Sequence, residues 1–103
     1  MAKEFVFNAQ TAPETYSERP GDNYLFVIRV QMFLNQRLKA GMVITTNEAL
    51  RELGMNIGDE EDGDSDGWGM DENDFLSFGL AYSDWLKTDL VLRPNAHPLG
   101  VGL

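Results

Sequence analysis

The chain has no cysteine and a single histidine, His97. Without thiols there is no disulfide framework and no thiolate metal site. A reducing cytoplasm is the location that fits this best. Long apolar runs are missing too. The longest, Tyr24 to Leu34, is broken by Arg29 and Gln31 and is too short and too polar to span a bilayer. The opening residues, MAKEFVFNAQ, lack both an extended apolar stretch and a small-residue cleavage site, so no secretory leader is expected. There is no Walker loop, no Gly-rich dinucleotide turn and no nucleophile elbow. His97 lies between Pro94 and Pro98 in an expected loop, which gives a Ser-His-Asp triad little to build on. An enzyme is therefore the weakest reading, and we expect no catalytic residue.

Positive charge is scarce, and its scarcity is local. The chain holds 8 Lys and Arg against 17 Asp and Glu, for a net charge of -9. Residues 59–74 read DEEDGDSDGWGMDEND, a stretch with no Lys, Arg or His. Nine of the carboxylates fall there, so the remaining 87 residues balance at eight acids and eight bases. Such acidity repels phosphate, which argues against nucleic acid or an anionic membrane as a direct partner. It favours a protein with a basic surface.

The length and composition suit one globular domain, residues 1–103, with a modest core. Lys3 to Asn8 alternates weakly and reads as a first strand. Thr11 to Asn23, with Pro13, Pro20 and Gly21, reads as a loop. In Tyr24 to Leu34 every second residue is apolar, and Val, Ile, Phe and Tyr are frequent, which predicts a central strand. Its end turns helical and stops at Gly41.

The clearest local signal is Thr45-Thr46-Asn47-Glu48, a capping box. It opens a short helix over about residues 46–53 that ends at Gly54 in a left-handed cap. Phe75 to Tyr82 alternates strictly and predicts a strand, with a helix from Asp71 as its rival. Ser83 to Thr88 reads as a turn with Trp85 and Leu86 inward. Leu90 to Leu92 is a short strand, and the tail is irregular. Phe26, Phe33, Phe75, Phe78, Tyr82 and Trp85 occupy expected core positions. The fold class is α+β: a small, mainly antiparallel sheet with one short helix packed on it.

Asp62, Asp64, Asp66 and Gly67 form D-x-D-x-D-G, which resembles the first half of an EF-hand calcium loop. Alternate carboxylates in a tight turn can converge on a hard cation, and the Gly permits the bend. The likeness covers about twelve residues and then departs. Gly69 stands where the family has an apolar residue, and Asn73 where it has a bidentate Glu. Calcium on Asp62, Asp64 and Asp66 is thus an alternative, and a solvated acidic loop is favoured over it. No other cofactor is expected. Asp71 and Asp74 have no feature that marks them as an acid–base pair, since such work needs one group buried. Trp68, flanked by Gly67 and Gly69, reads either as an apolar anchor for a partner or as a core residue at the edge of a strand.

The runs YLFVIRVQMFL, ITTNEALRELGM and DFLSFGL, with a Gly-Trp step before the last, resemble small uncharacterised proteins of phages and related mobile elements. The similarity spans roughly residues 24–95. It implies no catalysis and no cofactor. It implies an accessory protein or inhibitor that acts by contact, as small acidic proteins of that origin sometimes do by imitating DNA or blocking a host defence protein.

The expected function is a non-enzymatic protein-binding module. Its contact residues are Asp59, Glu60, Glu61, Asp62, Asp64, Asp66, Trp68, Asp71, Glu72 and Asp74. The alternatives are calcium binding and a structural homo-oligomer, built through the edges of strands Lys3–Asn8 or Leu90–Leu92 or the tail Leu99–Leu103.

Overall fold

Strand propensity and helical spacing compete in Tyr24–Leu34, and the helix wins. The computed structural model describes residues 3–56 and 65–99. After strand β1 (Phe5–Phe7) comes α1 (Asp22–Lys39), an 18-residue α-helix that replaces the expected central strand. The alternation was a coincidence of two periods. Asn23, Val27 and Leu34 are buried at helical spacing, and Val30 and Leu38 pack beside them. Leu, Met, Gln, Arg and Lys, all good helix formers, fill most of the rest.

Local chemistry also marks the ends of α1. It starts straight after Pro20–Gly21, with Asp22 in the first turn and Arg37 and Lys39 in the last, where each charge suits the helix dipole. Gly41, at φ 90°, closes it. The Met42 N–H reaches back to the Arg37 carbonyl at 3.2 Å and the Gly41 N–H to Leu38 at 3.0 Å, a Schellman motif.

The second helix, α2 (Thr46–Glu52), follows the two-residue strand β2 (Ile44–Thr45) and appears where the capping signal placed it. The Thr45 hydroxyl accepts from the Glu48 N–H at 3.1 Å. Gly54, at φ 76°, ends the helix with a second Schellman pair, Met55 N–H to Leu50 O and Gly54 N–H to Arg51 O. A short helix like this draws its stability from packing, and Ala49, Leu50 and Leu53 are fully or almost fully buried.

The remaining strands among the described residues are β3 (Asp66–Trp68), β4 (Leu90–Leu92) and β5 (His97–Pro98), with a 3-10 turn at Tyr82–Asp84. They form two small antiparallel sheets. β1 pairs with β4, Phe5 opposite Leu92 and Phe7 opposite Leu90. In the other sheet β3 lies between β2 and β5, with Ile44 opposite Trp68 and Gly67 opposite His97. The α+β class therefore stands. The sheet is divided in two, and among the described residues there are two α-helices where one was expected.

Phe75–Tyr82 is neither strand nor helix. Leu76 and Phe78 are buried and alternate with less buried neighbours, so the period-2 pattern is real. Among the described residues no strand pairs with it; side-chain amides and the backbone at 93–95 do. Asn35, on α1, donates to the Leu76 carbonyl at 2.9 Å and accepts from its N–H at 2.7 Å. Gln31, one turn earlier, accepts from the Phe78 N–H at 2.9 Å. From the other side Asn95 accepts from the Ser77 N–H at 2.8 Å and donates to the Phe75 carbonyl at 3.1 Å. The chain at 93–95 supplies two backbone bonds as well, Arg93 N–H to the Phe78 carbonyl at 2.7 Å and Asn95 N–H to the Ser77 carbonyl at 3.1 Å, so carboxamides and a short backbone contact together do the work of a ladder.

Several aromatics expected in the core lie outside it. Phe33, Phe75, Tyr82 and Trp85 are exposed, as is Leu86. The core holds Phe7, Leu34, Ile44, Trp68, Phe78 and Leu92 among others, with Phe26 packed against its edge. The exposed aromatics lie on α1 and on the chain after Asn73.

Candidate functional site

The described chain is fixed by backbone hydrogen bonds on either side of residues 57–64. Before them, the Asn56 N–H donates to the Thr11 carbonyl at 2.7 Å. After them, the Leu99 N–H donates to the Ser65 carbonyl at 3.0 Å, and β3 begins. Asp59, Glu60, Glu61, Asp62 and Asp64 lie outside the described residues, so their part of the expected contact surface is known from sequence alone.

The described part, 65–74, sorts its residues into distinct roles. Trp68 is fully buried, and its indole N–H donates to Asn95 Oδ1 at 2.8 Å. It is a core residue at the end of β3, not the expected anchor for a partner. The cause is the two glycines beside it. A Cβ on Gly67 would stand 2.1 Å from the Ile44 carbonyl, and one on Gly69 2.6 Å from the Met42 carbonyl. Backbone pressed this close to β2 carries the Trp ring inward.

Gly67 also bears on the calcium motif. It lies in an extended strand rather than at a positive-φ bend, and a strand partner on each side holds it there. Asp66, half-buried beside it, is the third ligand of the motif and sits in β3 opposite Pro98. Among the described residues no three His, Cys, Asp or Glu side chains converge on one point.

From Gly69 to Asp74 the chain makes a small closed loop. Asp71 Oδ1 accepts from the Asn73 N–H at 2.9 Å, and the Asp71 carbonyl accepts from the Asp74 N–H at 3.0 Å. Asp74 seals the neck. Its Oδ2 accepts from the Gly69 N–H at 3.0 Å, and its Oδ1 lies 3.5 Å from His97 Nε2. With its side chain only 14% exposed, Asp74 braces the loop and offers little to a partner. Asp71 and Glu72 are exposed at the tip, with Met70 beside them. Of the described candidates, these two acids are free to meet another molecule.

Elsewhere four carboxylates lie beside bases. Glu4 meets Arg93 at 2.6 Å, Asp84 meets Lys87 at 2.9 Å, Glu52 meets Arg37 at 3.7 Å and Asp22 meets Arg19 at 4.0 Å. Asp84 is held below the usual carboxylate pKa, first by its hydrogen bond from Lys87 and then by the backbone N–H of Ala81. The other proposed interaction surfaces are partly used within the fold. Leu99 is buried, and strands β1 and β4 pair with each other, so each has already spent one edge.

Asn35 and Asn95, which organise this region, went unnoticed in the sequence. Their immediate neighbours, Leu34 and Gln36 for Asn35 and Pro94 and Ala96 for Asn95, carry no signal that marks them. Compared with protein-family models, curated proteins and solved structures, the chain matches none of them.

Proposed function

We propose that this chain is a non-enzymatic binding module that meets a basic surface on another protein through residues 59–74. One observation carries the reading, the division of charge. Nine carboxylates without a single base occupy that segment, while the rest of the chain is balanced. In the balanced part Glu4, Asp22, Glu52 and Asp84 lie beside bases of the same chain, and Asp71 and Glu72 stand exposed at the tip of a braced loop. Uncompensated charge of one sign speeds encounter with the opposite sign and selects against like-charged partners. The likeness to mobile-element proteins points to a partner that itself handles nucleic acid, with the acidic segment standing in for phosphates.

The test replaces Asp59, Asp62, Asp64 and Asp71 by Asn and Glu60, Glu61 and Glu72 by Gln, leaving Asp66 and Asp74 in place. In a pull-down from cell lysate the natural sequence retains its partner at low salt and releases it at high salt. The neutral variant, folded to the same melting temperature or a higher one, retains none. Equal retention by both overturns the proposal. Calcium titration of the natural chain separates the alternative: heat of binding and a raised melting temperature would favour the cation.

A further inference from the structure

Apolar side chains are exposed at both ends of helix α1. At its start the Trp85 ring lies over Gly21, 3.4 Å from where a Cβ would stand, and Trp85 and Leu86 are exposed. The charges there are engaged with one another: Arg19 and the Ser17 hydroxyl meet Asp22, and Lys87 meets Asp84. The other end lies about 27 Å away, at about 1.5 Å per residue over 18 residues. There Met42 and Val43 follow the helix, and the Gly69 backbone is pressed against both. A Cβ on Gly69 would stand 2.6 Å from the Met42 carbonyl oxygen and 2.8 Å from Val43 Cα. Met70 comes directly after Gly69. Asp74, whose carboxylate accepts from the Gly69 N–H, brings Phe75 to the same place. Met42 is 43% exposed, Val43 45%, Phe75 62% and Met70 66%.

Two acids stand among these four apolar residues. Asp71 and Glu72 are exposed between Met70 and Phe75 in the chain, and among the described residues neither meets a base. His97 faces Asp74 instead. Lys39, exposed at the helix end, sets one positive charge against Asp66, Asp71, Glu72 and Asp74.

Thioether, ring and carboxylate together select the occupant. Flexible Met beside Phe accepts apolar side chains of varied shape. Carboxylates next to them favour a segment in which Lys or Arg accompanies the apolar residue. Nucleic acid is repelled, and an acidic segment would meet like charge. We infer that Met42, Val43, Met70 and Phe75 seat an apolar side chain of a basic peptide segment, whose Lys or Arg residues meet Asp71 and Glu72. This rests on the basic partner proposed above for residues 59–74, and gives that partner the apolar contact that Trp68, held in the core, cannot supply.

The test uses two short synthetic peptides of equal length and charge, one of Lys and Ser, the other of Lys with Leu in place of each Ser. In calorimetric titration of the full chain the Lys–Leu peptide is expected to bind about tenfold tighter than the Lys–Ser peptide. Met70→Gln with Phe75→Gln, at two exposed positions, brings the ratio to about one at an unchanged melting temperature. If that pair lowers the melting temperature, Met70→Gln alone decides, with a ratio cut about threefold. Leu86→Gln, at the opposite end of α1, leaves the ratio as it was. Equal affinity for the two peptides overturns the inference while the charge reading stands. A preference for Leu that survives the Met70 and Phe75 changes, or that Leu86→Gln removes, overturns it as well, because the apolar contact then lies elsewhere. Binding of neither peptide at about 1 mM overturns the charge reading and this inference together.

Discussion

Asp71 and Asp74 are three residues apart, carry the same group and do opposite things. Asp74 is turned inward, accepts from the Gly69 N–H and faces His97, while Asp71 stands exposed at the loop tip. The contrast repeats at larger scale. In the body of the molecule Glu4, Asp22, Glu52 and Asp84 lie 2.6 to 4.0 Å from a base. Residues 59–74 contain no base of their own, and Asp74 meets one only in His97 of β5. A carboxylate is therefore structural or free according to what the backbone brings to it, and membership of an acidic run does not decide the matter. The acidic segment is a mixture: Trp68 and Asp74 hold it, and the exposed acids are what it displays.

The sharpest way to break this comparison is to attack the holding side. Trp68→Ala removes a fully buried ring and leaves Asn95 without its indole donor. Chemical denaturation is expected to show a loss of about 3–5 kcal/mol. A loss under about 1 kcal/mol would return Trp68 to the displayed side. Next comes Asn35→Ala, which strips the Leu76 N–H and C=O of their partner in one step. Buried backbone left unsatisfied is expected to cost about 1–3 kcal/mol in the same measurement.

Asp84 gives a smaller effect, read by pH. Its pKa is lowered in the fold, so its contribution is present above the ordinary carboxylate value and fades as pH falls through the lowered one. The stability difference between the natural chain and Asp84→Ala should shrink as pH drops below about 4. A difference that persists at the acid end would mean that the Lys87 contact is not its source. Smallest of all is the effect of neutralising the seven displayed or undescribed acids. Stability should stay level or rise slightly, because like charges repel. A clear loss would show that those acids hold the fold after all.

Much of the local grammar was legible in the chain. Thr45 with Glu48, Gly54 and Gly41 each mark a helix end, because caps depend on a few adjacent residues. Leu90–Leu92 is a strand with the expected bounds. The failures came where local pattern admits two solutions. Tyr24–Leu34 satisfies both a period of two and a period of 3.6, and tertiary packing chose the second. Phe75–Tyr82 has the alternation of a strand, yet its partners come from Asn35, Gln31 and Asn95, which are distant in sequence. For the site, the charge division could be read directly. Which acids were braced could not, since Asp74 depends on Gly69 and His97 being brought to it by the sheet.

The carboxamides along Phe75–Phe78 have a consequence for how the molecule opens. An ordinary strand leaves or joins a sheet through repeating backbone pairs, and its ends can fray one bond at a time. Here α1 holds Leu76 and Phe78, while the chain at Asn95 holds Phe75 and Ser77. The segment has no stability apart from those two neighbours. The amide hydrogens of Leu76 and Phe78 are therefore expected to exchange when α1 lifts, while that of Ser77 waits on the chain at Asn95.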